Sequence, residues 1–208
     1  MTPQTLRVAI MGTGKIAGKV TPYIQRATGC TVTLAASRST DRARVFADQL
    51  GIPNACTYDQ LATRDDIDAV YVTLPNHAHP EWSDRLLRAG KHVLCEKPLC
   101  WTRAQAERLF TTAAGHDRVL VEAFMSLHAP LMPEMARIAR AAIADPNASP
   151  IGRLTRIEAA FNYPTPPGPS DNVRFSRALA GGALMDVGCY PLSFARAVLG
   201  FDPAAPAA

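Results

Sequence analysis

The segment RVAIMGTGKIA, residues 7–17, decides the fold of the N-terminal half. It begins with a short apolar run typical of a buried strand, and its glycines lead into a helical pattern. In a G-x-G-x-x-A arrangement the first glycine permits a tight turn, the second lets a phosphate approach the backbone, and the alanine lets helix and strand pack closely. A plain glycine-rich turn gives the same pattern, so the motif alone leaves both interpretations open. If it binds a dinucleotide at the helix N-terminus, the residues involved are Gly12, Thr13, Gly14, Lys15 and Ile16.

Short apolar runs continue to alternate with helical patterns along the first half of the chain, which is typical of βαβ units. Strands are predicted at 7–11, 32–37, 69–74, 92–96 and 119–123, and helices at 15–27, 41–50, 80–89 and 103–114. The pattern predicts an α/β fold with a Rossmann-like parallel sheet and helices on both faces.

The pattern changes after about residue 124. A helix is predicted at 130–144, a strand at 154–163 that would open a different sheet, and a further helix at 183–199. We therefore expect two domains: a dinucleotide-binding domain over residues 1–124, and the start of an incomplete α+β substrate domain over residues 125–208.

Composition excludes several classes of protein. The 208 residues are 48% hydrophobic and 19% charged, and we expect neither a secretory signal nor a segment of membrane-spanning length, hence a cytoplasmic location. Five scattered cysteines without a C-x-x-C pair indicate reduced thiols. The formal net charge of +4 comes from dispersed arginines, which argues against nucleic acid as a partner but suits an anionic cofactor.

The second predicted strand ends in Ser37-Arg38, about 20 residues after the glycines. At this position NAD enzymes place an acid on the ribose, whereas NADP enzymes place an arginine near the 2′-phosphate. No acid is present here, and both side chains can donate hydrogen bonds to a phosphate. NADP is therefore favoured over NAD, and the alternative is a solvated arginine at the start of a loop.

Two further strand ends carry polar residues. Leu74-Pro75-Asn76 and His79 follow the third strand, and Glu96-Lys97-Pro98 follows the fourth. In a parallel sheet these ends share one edge with the glycine turn. The residues that we expect to contact the cofactor are Leu74, Pro75, Asn76, His79, Glu96 and Lys97, although Asn76 and His79 could simply cap the next helix. His77 and His79 lack the additional ligands of a metal site, so no metal is predicted.

In order and spacing, Gly12-Thr13-Gly14, Pro75-Asn76 with His79, and Glu96-Lys97-Pro98 resemble the Gfo/Idh/MocA superfamily, which includes glucose–fructose oxidoreductase and inositol dehydrogenase. Residues 122–130 and 181–191 are most similar to its dihydrodiol dehydrogenase and aldose (xylose-type) dehydrogenase branch. The resemblance covers essentially the whole chain. It implies hydride transfer between a nicotinamide cofactor and a hydroxyl or carbonyl carbon of a sugar, polyol or cyclic diol.

The resemblance also implies catalytic roles. Tyr190 is the candidate acid/base, Lys97 is the cation that stabilises developing negative charge, and Glu96 orients Lys97 or the ribose. Asp186 is the third candidate catalytic residue: it lies four residues before Tyr190, so on a helix both would project from one face and could meet a common substrate. The alternatives are a carboxylate favoured by the helix dipole for Asp186, and a half-buried aromatic for Tyr190.

Members of this family continue well past residue 208, so the resemblance implies a C-terminally truncated chain and a homo-oligomer if the C-terminal sheet were complete. Two functions follow as hypotheses. The first is an NADP-dependent oxidoreductase, favoured because Lys97, Asp186 and Tyr190 are all retained. The second is an inactive homologue or a nucleotide-sensing regulator that keeps the Rossmann domain.

Overall fold

The structure, a computed structural model, describes residues 5–164 and 172–200. Its N-terminal part is built on six strands: β1 (Leu6–Met11), β2 (Cys30–Ser37), β3 (Asn54–Thr57), β4 (Ala69–Val72), β5 (His92–Glu96) and β6 (Leu120–Ala123). They form one sheet in the order β3-β2-β1-β4-β5-β6, and every neighbouring pair is parallel. The chain therefore reverses its direction of winding between β1 and β4, where such sheets place their ligands.

Seven α-helices accompany the strands in the described residues: α1 (Lys15–Arg26), α2 (Thr40–Leu50), α3 (Tyr58–Ala62), α4 (His79–Arg88), α5 (Arg103–Gly115), α6 (Leu131–Ala144) and α7 (Cys189–Leu199). Side-chain caps fix several starts. Ser39 and Thr102 accept hydrogen bonds from the first turns of α2 and α5, and Thr57 forms a capping box at α3.

Alternation along the strands sends side chains to two buried clusters. Ala9, Met11, Val70 and Val72 face one cluster, which includes Leu86 of α4 and Leu109 of α5. On the opposite face, Val8, Ile10 and Tyr71 join a cluster with Ala17 of α1 and Phe46 of α2. The predicted α/β class, with helices on both faces of a parallel sheet, is confirmed.

Neither β3 nor α3 was among the elements predicted from the sequence. β3 has only four residues, with Asn54 exposed and Cys56 buried, so it carries no apolar run that periodicity could detect. It forms the edge of the sheet by pairing with β2, and this pairing decides its conformation.

The chain divides into two compact units. The N-terminal unit comprises residues 1–123 with 178–180, and the C-terminal unit comprises residues 124–177 with 181–208. In the C-terminal unit, Ala136, Ala139 and Val198 form a small core against which Leu154 and Phe194 pack.

The strand predicted at 154–163 is wrong: this segment has no regular secondary structure, and most of its side chains are exposed. The described residues of the C-terminal unit contain no strand, so the backbone of residues 154–163 has no strand to pair with. The helix predicted at 183–199 is present as a π-helical turn, Leu184–Gly188, followed by α7.

One helical stretch, Arg177–Leu199, is long and apolar enough to cross a membrane by length and composition alone. The sequence had suggested no such segment, so that expectation is corrected. A single stretch of this kind is weak evidence for a membrane protein, because helices of other proteins pass the same test.

Candidate functional site

The glycine turn lies at the carboxyl end of β1. Gly12 has a φ of +109°, its amide donates to the carbonyl of Ala36 at 2.9 Å, and a Cβ atom on it would lie 2.4 Å from Thr73 Oγ1. Gly14 differs, because no heavy atom lies within 4 Å of the position its Cβ would take. Gly14 is the N-cap of α1, without a side-chain cap. The turn thus leaves open space in front of a helix N-terminus, which suits a phosphate group.

Ser37 and Arg38 lie beside this turn, at the carboxyl end of β2. Ser37 is buried, and its Oγ lies 3.3 Å from Thr13 Oγ1, whereas Arg38 is exposed. Tyr58 hydrogen-bonds Ser37; burial raises the pKa of its phenol, and the Ser37 bond and the nearby Arg38 and Arg42 lower it.

Arg42 and Tyr58 were missed by sequence reasoning. Arg42 lies in the first turn of α2, directly after the second strand end, and this position is the signal that could have identified it. The end of β2 thus carries four groups that can bind an anion: the guanidinium groups of Arg38 and Arg42, the hydroxyl of Ser37 and the phenol of Tyr58. Such a set can hold a phosphate by charge-assisted hydrogen bonds.

The segment after β4 is a short 3-10 turn, Asn76–Ala78, that leads directly into α4. Leu74 is buried and Pro75 is exposed. The side-chain amide of Asn76 donates from Nδ2 to the carbonyl of Ala180 at 2.9 Å.

His79 lies inside the protein. Its ring is 1% exposed, Nδ1 lies 2.8 Å from the carbonyl oxygen of Pro98, and Nε2 lies 2.7 Å from that of Leu74. Both ring nitrogens therefore contact the protein backbone, on the two turns that follow β4 and β5.

The turn after β5 is fixed by carboxylates. One oxygen of Glu96 accepts a hydrogen bond from Tyr71, and the other accepts from the Lys97 amide at 3.2 Å. Glu122 on β6 accepts from the Leu99 amide at 2.8 Å. The Lys97–Pro98 peptide bond is cis, and Lys97 itself is partly buried. Tyr71 and Glu122 were also missed by sequence reasoning, since only the sheet brings them to this turn.

In the N-terminal unit, four of the predicted elements meet along one edge of the sheet. The carboxyl ends of β1, β2, β4 and β5 carry Gly12–Gly14, Ser37–Arg38, Pro75–Asn76 and Glu96–Lys97 respectively. This edge combines the open N-terminus of α1 with the positive charges of Arg38, Arg42 and Lys97. An anionic dinucleotide requires such groups.

Asp186 and Tyr190 belong to the C-terminal unit. Arg174 Nε donates to Asp186 Oδ2 at 2.8 Å, and the hydroxyl of Tyr163 donates to the same oxygen. This bond to Asp186, together with burial, raises the pKa of Tyr163. The carboxylate is thus held by a cation and a phenol.

A cavity of about 530 Å³ lies next to this carboxylate within the C-terminal unit. Its polar and aromatic lining includes Phe161, Tyr163, Arg174, Phe175, Arg177 and Asp186. The ring of Tyr190 packs nearby on Phe161 and Phe124, at centroid distances of 5.4 and 4.9 Å. Residues 5–164 and 172–200 contain no group of three or more His, Cys, Asp or Glu side chains arranged to hold a metal ion.

Two family models match the chain. Residues 6–124 match the oxidoreductase family with an NAD-binding Rossmann fold, and residues 138–208 match the GFO/IDH/MocA C-terminal domain.

Curated relatives have similar sequences. The chain is 41% identical over 198 residues to the dTDP-3,4-didehydro-2,6-dideoxy-alpha-D-glucose 3-reductase of Actinomadura kijaniata, covering 95% of this chain and 57% of the relative. It is 38% identical to D-xylose 1-dehydrogenase (NADP(+)) 2 of Haloferax volcanii, covering 92% of this chain and 56% of the relative. The chain thus spans a little over half the length of these relatives.

Solved structures are similar as well. A 3-ketoreductase from Actinomadura kijaniata in complex with NADP and TDP-benzene matches with a TM-score of 0.80 and 39% identity, covering 94% of this chain and 58% of that one. The aldose-aldose oxidoreductase of Caulobacter crescentus matches with a TM-score of 0.76 and 28% identity, covering 96% and 59%. The fold, the ordered strand ends and both family matches lead to one conclusion: this chain belongs to the Gfo/Idh/MocA oxidoreductase family.

Proposed function

We propose that this chain is an NADP-dependent oxidoreductase that transfers a hydride between the cofactor and a hydroxyl or carbonyl carbon of a sugar, polyol or cyclic diol. The observation that carries the proposal is the space in front of α1. A Cβ at Gly14 would meet no atom within 4 Å, so the helix N-terminus is accessible to a pyrophosphate. The adjoining strand ends supply the remaining contacts that a dinucleotide needs.

The residues present fit NADP. The turn from Gly12 to Ile16 would hold the pyrophosphate, and Ser37, Arg38 and Arg42 would hold the 2′-phosphate. When bound, the cofactor supplies or accepts the hydride. On the nicotinamide side, the residues that would contact ribose or ring are Leu74, Pro75, Asn76 and Glu96.

Lys97 supplies positive charge at the end of β5. Its main-chain amide donates to the Glu96 carboxylate, which in turn accepts from Tyr71, so the backbone that carries Lys97 is restrained. We assign its ammonium the stabilisation of the oxyanion that develops when a carbonyl is reduced or a hydroxyl is oxidised.

Tyr190 is assigned the proton transfer to or from the substrate oxygen. A phenol can act as an acid or a base if neighbouring cations stabilise its anion. Asp186 is assigned a fixed negative charge that contacts substrate, since Arg174 and Tyr163 hold its carboxylate in place.

We assign cofactor binding to a domain over residues 1–124 and substrate binding to residues 125–208, which would form part of a larger substrate domain. The relatives act on sugars or sugar nucleotides, as their names state. A sugar-type small molecule is accordingly the proposed partner, and the proposed location is cytoplasmic.

Fluorescence titration of the 208-residue chain with NADPH and with NADH tests the proposal. We expect saturable binding of both, with NADPH tighter by about tenfold or more, because each charge-assisted bond to the 2′-phosphate contributes about 1.5–3 kcal/mol. Tighter binding of NADH would overturn the assignment of Ser37 and Arg38. Binding of NADPH without turnover of any sugar or sugar nucleotide would favour a nucleotide-sensing protein over an enzyme.

A further inference from the structure

His79 makes two hydrogen-bond contacts that a neutral imidazole cannot both satisfy. Its Nδ1 lies 2.8 Å from the Pro98 carbonyl oxygen, and its Nε2 lies 2.7 Å from the Leu74 carbonyl oxygen. A carbonyl oxygen only accepts, so each contact needs an N–H on the ring. Neutral imidazole carries one N–H and one lone pair, whereas imidazolium carries two N–H groups.

The neutral ring would leave one unfavourable contact. Whichever nitrogen lacked the proton would point its lone pair at a carbonyl oxygen within hydrogen-bond distance, in a site where the ring is 1% exposed. Water has almost no access to relieve this contact, and an unsatisfied buried polar group is costly. The imidazolium instead forms two charge-assisted hydrogen bonds.

Carboxylates on two strands balance such a charge. Burial lowers the pKa of His79 overall and outweighs the influences that raise it, which are the bonds to Pro98 and Leu74 and the negative charges of Glu96 on β5 and Glu122 on β6. Two short backbone contacts, each of which needs an N–H on the ring, favour the charged form against this cost of burial. Both carboxylates are anchored on the same turn as Pro98, by the amides of Lys97 and Leu99. The site therefore contains the counter-charges that a buried cation requires.

We infer that His79 is held as an imidazolium and that it is a positioning residue, which ties the turn after β4 to the turn after β5. Its two N–H groups fix the Leu74 and Pro98 carbonyls relative to one another. Pro75 and Asn76 directly follow the first carbonyl, and Lys97 directly precedes Pro98. The importance of this tie for cofactor binding rests on the proposed function, whereas the charge state of His79 does not.

Nitrogen-15 NMR of the histidine side chains in the wild-type chain tests the charge without cofactor. The sequence has five histidines, and His79→Gln identifies the signals that belong to His79. At about pH 8, above the ordinary histidine pKa of about 6.5, we expect both His79 nitrogens to show shifts of protonated nitrogen and couplings to bound protons. His116, whose side chain is exposed, supplies reference signals in the same spectrum. A neutral tautomer of His79 at about pH 8 would overturn the inference.

NADPH titration tests the positioning role. Gln carries its two N–H groups on one nitrogen, whereas the imidazolium carries them on two nitrogens at opposite sides of the ring, so His79→Gln cannot hold both carbonyls in the same geometry. We expect its NADPH dissociation constant to rise by about tenfold or more, while His116→Gln, the matched control, binds as wild type. Wild-type affinity in a folded His79→Gln variant would refute the positioning role.

A pH titration of the wild-type chain covers the case in which the variant does not fold. As the His79 ring loses its proton, the amide signals of Asn76 and Leu99 should shift with the same midpoint, because both turns are released together. Amide signals that stay constant through that midpoint would contradict the tie. If the wild-type chain binds no NADPH, the proposed function fails, and these NMR results still decide the charge and the coupling of the two turns.

Discussion

The hydroxyl of Tyr71 donates a hydrogen bond of 2.5 Å to Oε1 of Glu96, from the middle of the sheet to the end of the neighbouring strand. Tyr71 is 1% exposed, and burial followed by this bond raises the pKa of its phenol. The other oxygen of Glu96 accepts from the Lys97 amide. A buried aromatic residue of the core thus reaches, through one carboxylate, the backbone of the proposed catalytic lysine.

Removal of this hydroxyl tests the relationship. We expect Tyr71→Phe to lower the free energy of unfolding by about 1–3 kcal/mol, because Glu96 loses a donor in a partly buried position. Urea unfolding measures the change, with Tyr23→Phe as control, since Tyr23 is 69% exposed. Equal stability of Tyr71→Phe and wild type would show that Glu96 does not depend on this bond.

Two alanine substitutions in the glycine turn should separate folding from binding. Gly14→Ala should lower the melting temperature only slightly, since its Cβ meets no atom within 4 Å and alanine is merely a poorer N-cap than glycine, yet weaken NADPH binding by about tenfold or more because the methyl group fills the phosphate space. Gly12→Ala should instead destabilise the fold by about 1–3 kcal/mol, because of the φ of +109° and the clash with Thr73. Gly115→Ala, with an equally open Cβ position in α5, is the control. Wild-type NADPH affinity in Gly14→Ala would place the phosphate elsewhere.

Arg38 should set the preference for NADPH. We expect Arg38→Ala to weaken NADPH binding by about tenfold or more and to leave NADH binding nearly unchanged, because only NADPH carries the 2′-phosphate. The same titrations with Arg42→Ala should give a change in the same direction. Arg103→Ala serves as control, since Arg103 is exposed and pairs with Glu107 on α5. An equal weakening of NADPH and NADH binding in Arg38→Ala would indicate a structural role for Arg38.

Lys97 should matter for turnover more than for cofactor binding. We expect Lys97→Ala to reduce kcat by about a hundredfold or more, through loss of charge at the oxyanion, while the NADPH dissociation constant stays within a few fold of wild type. The measurement uses a sugar or sugar nucleotide that the wild-type chain converts, with Lys19→Ala on the exposed side of α1 as control. Wild-type kcat in Lys97→Ala would remove this lysine from the mechanism.

Acid should weaken the fold through Asp68. Hydrogen bonds from Arg7 lower the pKa of Asp68 to about 2, below the ordinary value. A lowered folded-state pKa contributes stability above the ordinary pKa of about 3.9 and loses it as the pH falls towards about 2. We expect Asp68→Asn to cost about 1–2 kcal/mol at neutral pH, with partial exposure limiting the effect, and the difference from wild type to shrink as the pH falls from about 5 and to vanish only near pH 1, below both pKa values. Urea unfolding across this range checks it, with exposed Asp48→Asn as control. A difference as large at about pH 2 as at neutral pH would contradict this linkage.

Several features of the fold follow from the sequence by itself, because they depend on neighbouring residues. Apolar runs followed by glycine or proline locate β1, β2, β4, β5 and β6, and capping residues locate the starts of α2 and α5. Parallel strands separated by helices place their carboxyl ends at one edge. For this reason Gly12–Gly14, Ser37–Arg38 and Glu96–Lys97 can be grouped from the order of strands and helices along the chain.

Other features were decided only by the tertiary structure, because they depend on partners far apart in the chain. β3 exists through its pairing with β2, and the segment 154–163 remains irregular without a partner strand. Tyr71 meets Glu96 from 25 residues away, and His79 meets Pro98 from 19. The sequence presented His79 as a polar residue beside the cofactor edge. Packing instead placed its ring beneath that edge, where its two nitrogens contact the carbonyls of the turns that it joins.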